Sequence, residues 1–290
     1  MILHKRVDVE GLSIFYREAG KPGYPRLVLL GGFPASSHQF RDLIPELADR
    51  FHVVSPDYPG FGNSDLPDPA TFPYTFDRLS EIIEGWLDAI GFTSFGLYVQ
   101  DYGGPVGMRI VARRPQRLEW LVIQNSNAYE VGFTPVWSGL HALWQGRTPE
   151  REAALLPFLS LDGIKLIYTH GHRNPEAISP DNWNMDFQFM ERPNAHRAHL
   201  DLFYDYRTNV PLYPEWQALL RRQQPRTLIL WGQNDIFFTP EGGEAYLADL
   251  PDAEIHRLDT GHFAVEDSLD VIAAGIRSFY DRRVASPAAA

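Results

Sequence analysis

Short, mostly apolar runs recur along this chain, at residues 27–30, 51–55, 95–99, 120–124, 227–231 and 253–258. A strand with one wet face alternates apolar and polar residues, whereas a strand covered on both faces has no need to. These runs therefore predict central strands of a parallel sheet. Residues 7–17 do alternate, around Glu10-Gly11, and predict an antiparallel hairpin. Stretches with apolar residues at helical spacing lie between the runs, among them 79–90 and 105–113. Strands alternating with helices indicate the α/β class: a mostly parallel sheet with helices on both faces.

Residues 127–213 break the rhythm. They hold no clear apolar strand and are rich in aromatic residues and histidine, including Trp137, Trp144, Phe158, Tyr168, His170, His172, Trp183, Tyr204 and Tyr206. A structureless segment of that length inside a compact domain is improbable, so a helical cap inserted between two sheet strands is expected. The expected organisation is a core from 1–126, a cap from 127–213, a second part of the core from 214–285, and a frayed tail at 286–290.

Composition narrows the partners more than the fold. The chain has 290 residues and a net charge of −11, which argues against nucleic acid and anionic membranes. It has no cysteine, so disulfides and thiolate metal sites are impossible. No apolar run approaches a membrane span, and residues 1–10 lack the core of a signal peptide. A cytoplasmic protein is expected. The histidines show no metal-ligand spacing, and neither a metal nor an organic cofactor is implied. The aromatic cap suggests a small apolar organic substrate. The oligomeric state is not legible.

The most specific chemistry lies at Gln100-Asp101-Tyr102-Gly103-Gly104. An apolar strand runs directly into an acid, then two glycines, then a helix. That is the layout of a nucleophile elbow, whose tight turn presents one side chain at the top of a sheet. Most elbows carry serine. A carboxylate is better suited to attacking an sp³ carbon bearing a leaving group, forming an alkyl ester on the enzyme. The loop Gly31-Gly32-Phe33-Pro34 follows the first parallel strand, and its Phe33 N–H, with that of Tyr102, is the expected oxyanion hole. His262, in Thr260-Gly261-His262-Phe263, is the candidate base. Asp235, in Trp231-Gly232-Gln233-Asn234-Asp235, is the candidate acid that orients it. The alternative acid position, after residue 124, offers only Asn125 and Asn127, which cannot carry the charge.

Taken together, Gly-Phe-Pro, Val-Gln-Asp-Tyr-Gly-Gly, Trp-Gly-Gln-Asn-Asp and Thr-Gly-His-Phe resemble the α/β-hydrolase superfamily. Within it they resemble the Asp-nucleophile branch of epoxide hydrolases and haloalkane dehalogenases, over nearly the whole chain. The resemblance implies two steps. Asp101 attacks an electrophilic carbon, and a water activated by His262, held by Asp235, then hydrolyses the ester. Asp101, with an ordinary aspartate pKa, is expected to be ionised at neutral pH.

Departures from the two patterns bear on the leaving group. Dehalogenases usually place Trp after the nucleophile and a second Trp or Asn elsewhere, where this chain has Tyr102 and Phe33. Fluoroacetate dehalogenases place Arg residues after the nucleophile, where this chain has Tyr102 and Pro105. Epoxide hydrolases supply two cap tyrosines as proton donors, and Tyr204-Asp205-Tyr206-Arg207-Thr208-Asn209 resembles the element that holds one of them. Tyr206 is the expected donor and Tyr168 a second candidate. Epoxide hydrolases, however, usually begin the oxyanion loop with His, where Gly31 stands here. His170 and His172 are further cap residues able to contact a leaving group. The expected activity is epoxide hydrolase-like. Carbon–halogen hydrolysis and a non-catalytic ligand-binding protein of the same fold are the alternatives.

Overall fold

The computed structural model describes residues 1–285, so the tail expected at 286–290 lies outside the described residues. Eight strands form one sheet: β1 (Leu3–Val9), β2 (Leu12–Ala19), β3 (Arg26–Leu30), β4 (His52–Pro56), β5 (Phe95–Gln100), β6 (Leu118–Gln124), β7 (Arg226–Gly232) and β8 (Glu254–Leu258). Across the sheet their order is β1-β2-β4-β3-β5-β6-β7-β8. β2 is antiparallel to both neighbours, and the other pairs are parallel. Glu10 and Gly11 join β1 to β2 with φ of 54° and 81°. Two left-handed residues in a two-residue turn suit the natural twist of a hairpin.

The helices are α1 (Leu43–Leu47), α2 (Phe76–Ala89), α3 (Gly103–Arg113), α4 (Ser138–Trp144), α5 (Pro149–Ala153), α6 (Leu161–Thr169), α7 (Pro180–Met190), α8 (Ala195–Asp205), α9 (Tyr213–Gln223), α10 (Pro240–Ala245) and α11 (Val265–Phe279). Successive residues of a strand point to opposite faces. Leu97 and Val99 of β5 accordingly join one core with Ile83 of α2 and Val106 of α3, while Tyr98 joins another with Leu43 of α1 and Ile276 of α11. This double burial explains the unbroken apolar runs. No helix among the described residues is long and apolar enough to cross a membrane.

Between β6 and β7 the chain is helical, from α4 to α9, and adds no strand to the sheet. Arginines tie this insert to the core. Arg192 donates to the carbonyls of Gly60 and Ser64 at 2.9 and 3.2 Å. From the core side, Arg109 of α3 donates to Asn209 Oδ1 and Thr208 Oγ1 at 2.6 and 3.1 Å. Asp205 closes the same seam by accepting from the Phe76 N–H at 2.8 Å, at the start of α2. The turn carrying Tyr206 is thus fastened to the helix that begins at the elbow.

Candidate active site

Asp101 directly follows β5, with a φ of +50°. A left-handed non-glycine residue costs about 1–2 kcal/mol, so the turn must be held from outside. The Asp101 N–H donates to the Asn125 carbonyl at 3.1 Å, and its carbonyl accepts from Ser126 Oγ at 2.9 Å and the Gly104 N–H at 3.0 Å. At Gly103 a Cβ would fall 2.0 Å from the Leu30 carbonyl oxygen, so α3 can start this close to β3 only without a side chain. The Asp101 carboxylate is buried, and Oδ1 accepts from the Phe33 N–H at 2.7 Å. Gly32 provides the space for this contact, since a Cβ there would lie 2.1 Å from Asp101 Oδ1 and 2.5 Å from the Tyr102 nitrogen. Gly32→Ala is therefore expected to lower turnover by on the order of 10²-fold, the size of losing an oxyanion donor. Steady-state kinetics on the folded variant checks this.

His262 is fully buried beside the elbow. Its Nδ1–H donates to Asp235 Oδ2 at 2.9 Å, while Nε2 stands 3.8 Å from Asp101 Oδ2. Asp235 is held on both oxygens: Oδ1 accepts from the Phe237 N–H at 2.7 Å and Oδ2 from Asn125 Nδ2 at 2.8 Å. Asn125 also bridges to Gly232, donating to its carbonyl at 2.9 Å and accepting from its N–H at 2.8 Å. The residue weighed from the sequence only as a rival acid position is thus a partner of the acid itself. Gln100 is a second residue that sequence reasoning left without a role. Its side-chain amide lies 2.8 Å from His262 Nε2, the nitrogen that a base would use. The only sequence signal for either was adjacency to a strand end.

Electrostatics couples these groups. Burial raises the Asp101 pKa to about 6, against the opposing pull of His262 and of the Phe33 and Tyr102 N–H groups. This corrects the expectation of an ordinary aspartate. Burial disfavours the charged form of His262, but Asp235 and Asp101 outweigh it and its pKa is raised. A nucleophilic carboxylate must be ionised, and a raised pKa means it is lost as pH falls. In a pH series, kcat/KM should decline about tenfold per unit below about pH 6. An acid limb near 4 would contradict the buried carboxylate.

Above Asp101 lies a cavity of about 30 Å³. Phe33 and Phe237 wall it from the core loops, and Trp137, Leu140, Phe158 and Phe203 wall it from the insert. Tyr102 and Tyr206 complete the lining. The Tyr206 hydroxyl is buried beside that of Tyr213 and makes no hydrogen bond of good geometry with the described residues. The indole N–H of Trp137 is already spent on the Phe237 carbonyl at 2.8 Å, and that of Trp144, stacked on Tyr206, on the Phe203 carbonyl at 2.9 Å.

The sequence pattern of the α/β hydrolase fold family matches residues 25–269. The chain belongs to that family. This α/β-hydrolase is 38% identical over 282 residues to "Uncharacterized hydrolase YNR064C" of Saccharomyces cerevisiae, with 96% of each chain covered. It is 34% identical over 293 residues to a haloalkane dehalogenase of Mycobacterium marinum, covering 94% of this chain and 90% of that one. The solved structure of the epoxide hydrolase CorEH superposes with a TM-score of 0.80 at 19% identity, covering 97% and 99% of the two chains, a likeness of fold.

In this α/β-hydrolase, Asp101, His262, Asp235, Phe33, Tyr102 and Tyr206 converge. Tyr168 does not join them. Its hydroxyl donates to Asp186 at 2.6 Å and its ring stacks on Phe263 at 4.3 Å, so it packs the insert against the core instead of lining the cavity. His170 is exposed, and His172 is bound to Asp267 at 3.2 Å, so neither reaches the cavity. Arg207 lies over the Tyr204 ring at 3.6 Å, and it is Arg109, over 90 residues earlier, that grips Asn209. Among the described residues no group of three His, Asp or Glu side chains is placed to hold a metal.

Proposed function

We propose that this α/β-hydrolase opens small apolar epoxides through a covalent ester on Asp101, with residues 127–213 acting as the cap over the site. The observation that carries this reading is the Tyr206 hydroxyl, buried on the same apolar cavity as the Asp101 carboxylate, beside the Tyr213 hydroxyl and given up to no carboxylate or carbonyl. A departing epoxide oxygen becomes an alkoxide and needs a proton, which a phenol can give. A departing halide needs N–H donors, and Trp137, among the described residues the one cavity-lining side chain with such a group, has committed it.

In the first half-reaction an Asp101 oxygen attacks an epoxide carbon and Tyr206 protonates the leaving oxygen. In the second, His262 takes a proton from water, which attacks the carbonyl carbon of the ester. The negative oxygen formed there sits where Asp101 Oδ1 now meets the Phe33 N–H, with the Tyr102 N–H beside it. Esterification removes the Asp101 charge, one of the influences that raises the His262 pKa. Its loss shifts the imidazole toward the neutral form that a base requires, while Asp235 continues to hold the ring.

The test is a panel of matched four-carbon substrates, with diol measured from epoxides and halide release from haloalkanes. Diol formation from the epoxides is expected. Halide release with no diol would replace this reading with dehalogenation, the activity named for the Mycobacterium marinum relative.

A further inference from the structure

Ring opening concentrates a full negative charge on one oxygen inside an apolar cavity. An alkoxide oxygen has lone pairs for two donors, and burying it with one leaves much of the desolvation cost uncovered. Tyr206 is one donor. Tyr168, the other tyrosine expected from the sequence, is bonded to Asp186 and outside the cavity.

A different phenol is inside it. Tyr102 follows Asp101 directly, immediately before α3, lines the cavity and is 4% exposed. Its ring centroid lies 6.1 Å from that of Tyr206. Phe76 packs edge-on against both rings, at 4.8 Å from Tyr102 and 5.4 Å from Tyr206, and so fixes them relative to each other. No hydrogen bond to the Tyr102 hydroxyl exists among the described residues. A tyrosine buried to this degree ordinarily finds a partner for its O–H. Among the described residues the Tyr102 hydroxyl has none and that of Tyr206 has only a loose contact with the Tyr213 hydroxyl, and both tyrosines border the cavity that holds the candidate nucleophile.

We propose that the side-chain hydroxyl of Tyr102 is a second catalytic acid, acting with Tyr206 on the oxygen that leaves the epoxide carbon; this rests on the ring-opening reading above. As Asp101 forms its new C–O bond, the epoxide C–O bond breaks and its electron pair stays on the ring oxygen. One phenol transfers its proton to that oxygen while the other donates a hydrogen bond. When water hydrolyses the ester to the diol and the Asp101 carboxylate, the proton released returns through His262 to the phenolate. Burial, with the Asp101 charge adding to it, holds both phenols protonated in the resting enzyme. That charge vanishes as the bond forms, so both become better acids as the alkoxide develops. An indole at position 102 would stabilise an anion but could not release its proton, which gives the tyrosine here a chemical reason.

The experiment uses the full chain with His262→Gln, so that the ester accumulates, and follows adduct formation by rapid quench and intact mass. The added substitutions are Tyr102→Phe, Tyr206→Phe and both together. With 1,2-epoxybutane, Tyr102→Phe should slow adduct formation about tenfold or more, and the pair should be slower than either alone. With trifluoromethyl oxirane, whose alkoxide is less basic, the Tyr102→Phe defect should shrink to about threefold or less, because a weaker base depends less on an acid catalyst. Equal defects with both epoxides would assign Tyr102 a packing role, and no defect would remove it from the mechanism. Either result overturns the inference while leaving the epoxide reading standing. Failure of the enzyme with both tyrosines intact to form either adduct would overturn the two together.

Discussion

Asp101→Gly is expected to be inactive and more stable than the parent. Turnover should fall by about 10⁴-fold or more, because among the described residues no other carboxylate lines the cavity to form the ester. Stability should rise for two independent reasons. Residue 101 has a φ of +50°, which glycine adopts without the roughly 1–2 kcal/mol that a side chain costs there. Burial also lifts the carboxyl pKa from 3.8 to about 6. An acid that binds its proton more tightly folded than unfolded destabilises the fold increasingly as pH rises through the unfolded value, and fully above the folded one. At neutral pH that penalty is roughly 3 kcal/mol, and it disappears with the carboxylate. Opposing both is the loss of the Phe33 N–H contact. A net gain of at least ~1 kcal/mol at pH 7.5 is expected, shrinking toward pH 4 as the parent's carboxyl becomes protonated. Denaturant unfolding at the two pH values measures it. A variant less stable than the parent at both would mean that the elbow is not strained.

His262→Gln is expected to separate the two half-reactions. The nucleophile, the Phe33 N–H and the Tyr206 hydroxyl are untouched, so one equivalent of substrate should still react. Hydrolysis of the ester should then slow by about 10³-fold or more, since general-base removal alone is worth 10²–10⁴. Intact-protein mass should show a stable adduct, and peptide mapping should place it on Asp101. The increment identifies the leaving group: a whole epoxide adds its full mass, whereas a haloalkane adds its alkyl group without the halogen. The variant also leaves Asp235 without the imidazole that accompanies it at 2.9 Å, though the Phe237 and Asn125 donors remain. Some loss of stability is therefore expected alongside the kinetic block. Multiple turnovers without an adduct would exclude His262 as the base.

The candidate triad was legible because its members are punctuation. Asp101, Asp235 and His262 each follow a strand that an apolar run marks, and a parallel sheet brings consecutive strand ends to one edge. Glycines report the same edge, since Gly32 and Gly103 stand where backbone, carboxylate and strand approach within contact distance. Membership of the α/β-hydrolase fold family follows from these local patterns, which depend on neighbours in sequence and on burial alone.

The insert is different in kind. Its tyrosines are alike in sequence, and whether a phenol faces the cavity depends on what its hydroxyl meets across the interior. Tyr168 meets Asp186 and is consumed as a structural hydrogen bond, whereas among the described residues Tyr206 meets only the Tyr213 hydroxyl and Tyr102 meets no partner. The same holds for ionisation. The raised pKa of Asp101 comes from burial beneath residues more than 30 positions away in either direction, such as Phe33 and Tyr206, which no local pattern reports. Asn125 looked like a vacant acid position until β7 placed Gly232 and Asp235 against it. Sequence by itself determined the class of fold, the strand ends and the residues with reactive side chains. Tertiary packing decided which of those side chains were free to react, because hydrogen-bond satisfaction and desolvation are set by non-local neighbours.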